Sequence, residues 1–301
     1  MGHAALVWND LDPHSILLIF IPVLIFESAF GTDWHTFKRS IGQVLLLAVP
    51  GLLIGTVLTA IVIKYVLQYD DHFSWSEALM FGSILSATDP VAVVALLKEL
   101  GVSKRLSTLI EGESLLNDGT ALVAFEVFLE IALGESLGGD DIIMLFVRLS
   151  IGGPLIGIAC GVISSWWLKR IYDDPTLEIA VTFLTCYITF WIAELSGAHV
   201  SGILALVSLG FYMSGVGKTY ISVRSENDLH AFWKFMGWTG ETLIFVLSGV
   251  IIGNKVFADG RFEGIDFPLL IVFYIMLTII RYLIIALFYP VMKSSGYGTT
   301  W

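Results

Sequence analysis

Charged side chains are scarce in this sequence. Asp, Glu, Lys and Arg make up 14% of its 301 residues, against about 25% in an ordinary soluble domain. Apolar residues make up 56%, more than a single soluble core can hide. Basic residues are the scarcer sign, 16 against 27 acidic, which argues against a nucleic-acid partner. The composition excludes secreted, disordered and nucleic-acid-binding classes and predicts an all-α polytopic membrane protein in a lipid bilayer.

Cysteine and N-terminal basic residues are the other scarce features. Cys160 and Cys186 lie inside apolar runs, so no disulfide framework is predicted and both are interpreted as small buried hydrophobic residues. Residues 1–12 contain no Lys or Arg and therefore do not resemble the basic start of a signal peptide.

Long apolar runs dominate what the sequence does contain. A membrane-spanning helix needs about 20 mainly apolar residues, and nine segments approach or exceed that length. They are residues 15–30, 41–67, 78–97, 106–133, 142–168, 177–195, 200–213, 239–252 and 267–292. The connecting loops are short, which predicts one bundle of helices over residues 1–301 with no soluble domain.

Basic residues concentrate in alternate loops of this nine-span arrangement. Eleven of the 16 lie on one side, three (Lys64, Lys255 and Arg261) on the other, and two (Arg148 and Arg281) within spans. Cytoplasmic loops are enriched in Lys and Arg. The sequence therefore predicts that the first residue lies outside and the last residue in the cytoplasm.

Ionisable side chains inside the spans are energetically expensive and are therefore candidates for function. The candidates are Glu27, Asp89, Glu113, Asp118, Glu126, Glu194, Glu241 and Arg281. Among these candidates, seven acids against one base predict an acidic interior, which suits a pathway for cations or protons.

The third span is interrupted by Thr88, Asp89 and Pro90. Proline cannot donate a backbone hydrogen bond, clashes with the preceding turn and pushes Asp89 towards extended backbone. The pattern predicts two half-helices joined by unwound backbone near mid-membrane, beside a cavity or ligand. Free carbonyls at such a break can bind a cation. A simple proline kink in a packed helix is the other interpretation.

The fourth span opens with the polar stretch EGESLLNDG at residues 111–119. Helical spacing puts Ser114 and Asp118 on one face, with Glu113 and Asn117 on the neighbouring face. The hydroxyl of Ser114 and the carboxylate of Asp118 can together meet a dehydrated hard cation such as Na⁺, which prefers oxygen ligands. The amide of Asn117 can brace backbone that the break leaves unpaired.

Two more charges are assigned by position. Arg281 lies deep in the last span and needs a partner. We expect Glu113 to be that partner, because the face of Ser114 and Asp118 must remain free for the ion. Snorkelling of Arg281 to an interface is the alternative. Glu27 either reaches the same cavity or lies at the membrane interface.

Two long motifs carry a resemblance to a known family. LSATDPVAVVA at 85–95 and EGESLLNDG at 111–119 strongly resemble the cation/proton antiporters of the monovalent sodium/proton exchanger family. Shorter matches are FESAF at 26–30, AHVSG at 198–202 and ETLIF at 241–245. The chain looks most like the plant salt-tolerance exchangers and their relatives in sperm and protists, over nearly its whole length.

The resemblance implies roles at the helix break and beside it. Asp118 would hold Na⁺ and H⁺ alternately, and Asn117 would stabilise the unwound region. Thr88 would provide a ligand, and Asp89 would act directly or through water.

The resemblance also covers positions away from the break. Ser114 and Glu27 match further ion-site positions, so that Na⁺ is expected at Asp118, Ser114 and Thr88. Glu113 and Arg281 match a structural ion pair.

The family's architecture is larger than this chain. Members have about 13 spans in two inverted repeats, and the chain resembles spans three to eleven, so we expect a fragment with an incomplete second repeat. Residues 41–133 and 267–292 would belong to the moving core. Residues 15–30 and 142–252 would belong to the scaffold through which members form homodimers.

The function that this implies is antiport of Na⁺ or Li⁺ against H⁺ by alternating access, electroneutral, for pH and sodium homeostasis, at the plasma membrane. No cofactor is expected beyond the transported ions. A K⁺/H⁺ antiporter and a non-transporting truncated homologue stay open as alternatives. An enzyme is not expected, because neither Asp89 nor Asp118 lies in a Gly-x-Gly-Asp motif and no His-Glu-x-x-His motif occurs.

Overall fold

The structure is a computed structural model that describes residues 13–66, 74–133, 139–195, 200–257 and 266–294. All regular structure in these ranges is helical. The α-helices are α1 (Pro13–Gly31), α2 (Trp34–Leu46), α3 (Leu52–Ile61), α4 (Trp75–Ser86), α5 (Val91–Glu99), α6 (Lys104–Ala132), α7 (Gly139–Leu168), α8 (Pro175–Glu194), α9 (Gly202–Gly215), α10 (Val223–Phe257) and α11 (Asp266–Ser294). π-helical turns follow α2 and α3, at Leu47–Gly51 and Val62–Val66, and a 3₁₀ turn at Gly217–Tyr220 precedes α10.

Each of the nine predicted segments corresponds to helix. The second is the continuous run of α2, α3 and their π turns, and the third is α4 with α5. Within the described ranges, five helices are long and apolar enough to cross a membrane, while α1 and α9 contain shorter apolar helices. The third and fourth segments are not among these seven, because the third is broken and the fourth carries many charged side chains.

The predicted start of the eighth segment, at residue 239, is wrong. α10 begins at Val223, and its first turns are amphipathic rather than uniformly apolar. Leu229 and Trp233 are buried there, and Trp233 packs 4.5 Å from Phe26 of α1 between ring centroids. Packing against α1 and α8 therefore extends the helix beyond the apolar run.

Helix starts follow capping signals in the sequence. The carboxylate of Asp33 accepts hydrogen bonds from the backbone N–H groups of His35 and Thr36 at the start of α2. Ser74 and Glu77 form a capping box at the start of α4. These side chains satisfy N–H groups that the first turn of a helix leaves unpaired.

The helices pack in two groups. In the first, α4 contacts α3 and α6, α2 contacts α6, and α11 contacts α3. In the second, α9 is surrounded by α7, α1 and α8, and α10 contacts α1 and α8. α6 also contacts α7 and α9, so this helix links the two groups.

Glycine allows the closest approach within the second group. A Cβ added at Gly153 of α7 would lie 2.6 Å from the carbonyl oxygen of Ser201, and one at Gly157 would collide with the carbonyl of Ala205. Small residues four positions apart are the usual means by which membrane helices come this close. α7 and α9 therefore pack backbone against backbone.

Candidate functional site

The predicted helix break in the third segment is confirmed. α4 ends at Ser86, α5 begins at Val91, and the four residues between them are not helical. Ala87 has φ −68° and ψ 136°, which is extended backbone. A simple proline kink, the other interpretation of the sequence, is wrong.

The polar start of α6 lies directly against this break. The Ser114 hydroxyl donates a hydrogen bond of 2.9 Å to the carbonyl oxygen of Thr88. The amide nitrogen of Asn117 lies 3.4 Å from the carbonyl oxygen of Ser86, a long and therefore weak contact. Both side chains thus engage carbonyls at the end of α4 and in the break that have no helical partner.

A charged pair lies next to these contacts. Nη2 of Arg281, in α11, lies 2.7 Å from Oε2 of Glu113, and the Glu113 side chain is only 6% exposed. The other carboxylate oxygen of Glu113 lies 3.5 Å from the Asn117 amide nitrogen. The structure therefore brings the expected partners together, and the pair ties α11 to α6 beside the break.

Asp118 lies one helical turn after Ser114 and is half-buried. Its carboxylate is close enough to Asp89 and Glu113 to interact electrostatically with both. Asp89 itself is exposed. The break thus places two aspartates near each other, one held in the bundle and one open to its surroundings.

A cavity of about 680 Å³ lies between the break and α11. Among the predicted residues, Thr88, Asp89, Glu113 and Arg281 line it, while Ser114, Asn117 and Asp118 do not. Further lining residues that the sequence did not single out are Ser86, Tyr274, Thr278 and Tyr282. The three from α11 recur every four residues, so a search for a polar helical face could have found them.

Glu27 is not among the residues that line this cavity. A Cβ added at Gly237 of α10 would lie 3.1 Å from the Glu27 carboxyl group, so Glu27 packs between α1 and α10. Glu241, four residues further along α10, lies close enough to Asp89 to interact with it electrostatically. The sequence marks Glu241 as a buried acid but assigns it no role.

A second cavity, of about 250 Å³, lies near the other end of α6. Its lining includes Glu126, Glu130 and Glu194. Oε2 of Glu194 accepts a hydrogen bond of 3.0 Å from the backbone N–H of Gly202. None of these residues lines the first cavity.

The chemistry available at the break is that of oxygen ligands. Among the residues that the structure describes, no three or more His, Cys, Asp and Glu side chains are grouped to hold a metal ion. The carbonyl of Thr88, the hydroxyl of Ser114 and the nearby aspartates are oxygen ligands of the kind that a hard monovalent cation takes.

Fold and site together define an integral membrane protein of the secondary-transporter type, in which a broken helix meets a carboxylate within an apolar bundle. The chain belongs to the sodium/hydrogen exchanger family: the family's profile, described as "Sodium/hydrogen exchanger, transmembrane", matches residues 2–301.

Two plant relatives align with the whole chain. "Sodium/hydrogen exchanger 7" and "Sodium/hydrogen exchanger 8" of Arabidopsis thaliana are each 40% identical to it over 303 aligned positions. The chain spans 26% of the first relative and 40% of the second. The resemblance to plant exchangers is thereby confirmed.

A bacterial protein and a solved structure extend the likeness. The "Na(+)/H(+) antiporter ApNhaP" of Aphanothece halophytica is 35% identical over 90% of the chain and 50% of its own length. The structure of the sodium proton antiporter MjNhaP1 from Methanocaldococcus jannaschii matches with a TM-score of 0.65 at 18% identity, over 80% of this chain and 60% of that one. The predicted antiporter fold is confirmed.

Proposed function

We propose that the protein exchanges Na⁺ or Li⁺ for H⁺ across a membrane by alternating access. The observation that carries this proposal is the hydrogen bond from Ser114 to the carbonyl of Thr88. It holds the unwound backbone against the helix that bears Asp118, one turn after Ser114.

In this proposal, a single carboxylate is sufficient for the exchange of a cation for a proton. Asp118 carries either a proton or, with oxygen ligands from Thr88 and Ser114, a dehydrated cation, and the two compete for the same charge. Asp89 acts directly or through water from the open side of the break. Glu27 would join the cation only in another conformation of the cycle, since here it packs against Gly237.

The two groups of packed helices support separate roles for the two parts of the bundle during transport. α2 to α6 with α11 would form the moving core, and α1 with α7 to α10 the scaffold, through which two copies associate as a homodimer. Glu113 and Arg281 join α6 to α11 within the core as a structural pair. The loop charges support an outside first residue and a cytoplasmic last residue, and the plasma membrane is the proposed location.

Replacement of Asp118 tests the function. The protein is reconstituted in proteoliposomes, and Na⁺, Li⁺ or K⁺ is added against a pH gradient. Asp118→Asn should abolish cation-driven proton movement, because an amide neither binds a proton in this range nor neutralises a cation. The matched control is Glu126→Gln, about two turns further along α6, which lines the second cavity and should retain exchange.

Each outcome of this experiment tests one of the candidate functions. Sodium-driven proton flux that persists in Asp118→Asn would remove Asp118 as the carrier. Exchange driven by K⁺ but not by Na⁺ would establish the K⁺/H⁺ alternative. A wild-type protein that moves protons with none of the three cations would support a non-transporting homologue.

A further inference from the structure

The ion-binding stretch of α6 has a reverse side lined by glycine. Gly112 and Gly119 are both buried and seven residues apart, which places them within about 20° of each other around the helix. At 100° per residue, Ser114 and Asn117 lie roughly 140° to 160° away from Gly119. One face of α6 thus contacts the helix break, and the face that carries the two glycines points away from the break.

The space beside each of these glycines is filled by a side chain of a neighbouring helix. A Cβ added at Gly119 would lie 2.5 Å from Cδ2 and 2.8 Å from Cγ of Leu204, in α9. A Cβ at Gly112 would lie 2.5 Å from Cε2 of Phe37, in α2. The ring of Phe37 in turn stacks on Phe211 of α9, with centroids 4.1 Å apart. Helix α9 therefore packs against α6 at two positions along the α6 axis. The contact is direct at Leu204 and passes through Phe37 at the other position.

We infer that Leu204 is a positioning residue for the cation site, because its contact with Gly119 sets how closely Asp118 and Ser114 approach the helix break. Leu204 is 6% exposed and cannot yield into solvent. Carbon atoms prefer separations of 3.5–4.0 Å, so a methyl group at Gly119 would have to open this contact by about 1 Å.

The direction of that displacement matters for binding. Pushing α6 at Gly119 changes its distance from the carbonyl of Thr88, which Ser114 contacts at 2.9 Å. A misplacement of about 1 Å in a constellation of this kind costs up to about a hundredfold. The effect should therefore appear in the affinity for the cation, and not only in folding stability.

The inference rests on the proposed cation exchange, and the test separates the two. Gly119→Ala, Leu204→Ala and the double variant are compared with Gly249→Ala, a helical glycine with no atom within 4 Å of an added Cβ. Two quantities are measured: the apparent KM for Na⁺ in proteoliposomes, and the Na⁺ concentration that gives half of the Na⁺-dependent rise in unfolding temperature in detergent. The second needs no transport, and it is repeated with Li⁺ and K⁺.

We expect Gly119→Ala to raise both quantities roughly tenfold, Gly249→Ala to leave them unchanged, and Leu204→Ala to restore most of the loss in the double variant. If Gly119→Ala does not fold, Leu204→Ala alone, which only removes atoms, should still weaken cation binding relative to Gly249→Ala. Equal cation dependence of wild type and these variants, or a double variant no better than Gly119→Ala, would overturn the inference. A wild-type protein stabilised by none of the three cations would contradict the proposed function as well.

Discussion

At the scale of single residues, the site depends on partners that satisfy charge at membrane depth. Glu113 is almost fully buried, and its two oxygens face Arg281 and Asn117. Removing one member of a buried pair strands the other charge, at a cost of about 3–5 kcal/mol, whereas removing both leaves no charge to satisfy.

Glu113→Gln and Arg281→Ala should therefore each lower the unfolding temperature in detergent, and the double variant should recover most of the loss. The measurement is thermal unfolding of the four proteins side by side. A double variant as unstable as the sum of the single variants would mean that the two residues act independently.

At the same scale, the contacts of Asn117 within the described ranges involve only the nitrogen of its amide. Its nitrogen contacts Ser86 and Glu113, while its Oδ1 is buried and has no hydrogen-bond partner among the residues that the structure describes. The donor side of the amide thus braces the backbone of the break, while Asp118 is the proposed carrier of the exchangeable charge.

At the scale of helices, the junction between α1 and α2 is tied to the start of α6. Asp33 caps α2 through His35 and Thr36, and its other oxygen lies 2.6 Å from Nζ of Lys104. The Lys104 ammonium, with the two backbone N–H groups, holds the pKa of Asp33 below its ordinary value of 3.8. The contact links the junction after α1 to the helix that carries Asp118.

A carboxyl group whose pKa is lowered by folding stabilises the protein above its ordinary pKa and loses that contribution as the pH falls through the lowered value. Lys104→Ala should therefore reduce stability at neutral pH and have no effect well below pH 3.8. The loss should stay below about 1 kcal/mol, because Lys104 is largely exposed.

Thermal unfolding across this pH range checks the prediction. Asp33→Asn is the matched variant, since Asn caps a helix about as well as Asp but carries no charge. Asp33→Asn and Lys104→Ala should have similar effects at neutral pH and should not add in the double variant. Additive effects would show that Lys104 stabilises α6 by some other contact.

At the scale of the whole molecule, a single exchangeable carboxylate has an electrical consequence. Asp118 loaded with Na⁺ carries the same net charge as Asp118 loaded with one H⁺, so a core that moves with either should transfer equal charge in both directions. A net charge would feel about 2.3 kcal/mol per 100 mV. Exchange should therefore be one to one and insensitive to membrane potential.

Proteoliposomes clamped at different potentials with valinomycin and K⁺ test this, with sodium-driven proton movement as the readout. Rates or end points that shift with voltage would contradict the single-carboxylate mechanism. Asp89, exposed at the break and electrostatically coupled to Asp118, would then be the second proton carrier, and Asp89→Asn should remove the voltage dependence.

Much of the fold was predictable from sequence because its determinants are local. Apolar run length located the nine segments, and the missing N–H of Pro90 located the break. The start of α10 could not be read in this way, because Leu229 and Trp233 are held in the helix by packing against α1 and α8. Hydropathy measures how well a segment suits the bilayer, but it does not measure packing against a neighbouring helix.

The candidate site, like the fold, was predictable from the sequence only in part. The sequence by itself determined which side chains carry charge at membrane depth and that Ser114 and Asp118 share a face, since both follow from residue type and helical period. Only the tertiary structure decided that Ser114 meets Thr88, that Glu27 packs against Gly237, and that Leu204 fills the space at Gly119. These contacts depend on the distances between helices, which are set by side-chain volumes that come together only when the bundle has packed.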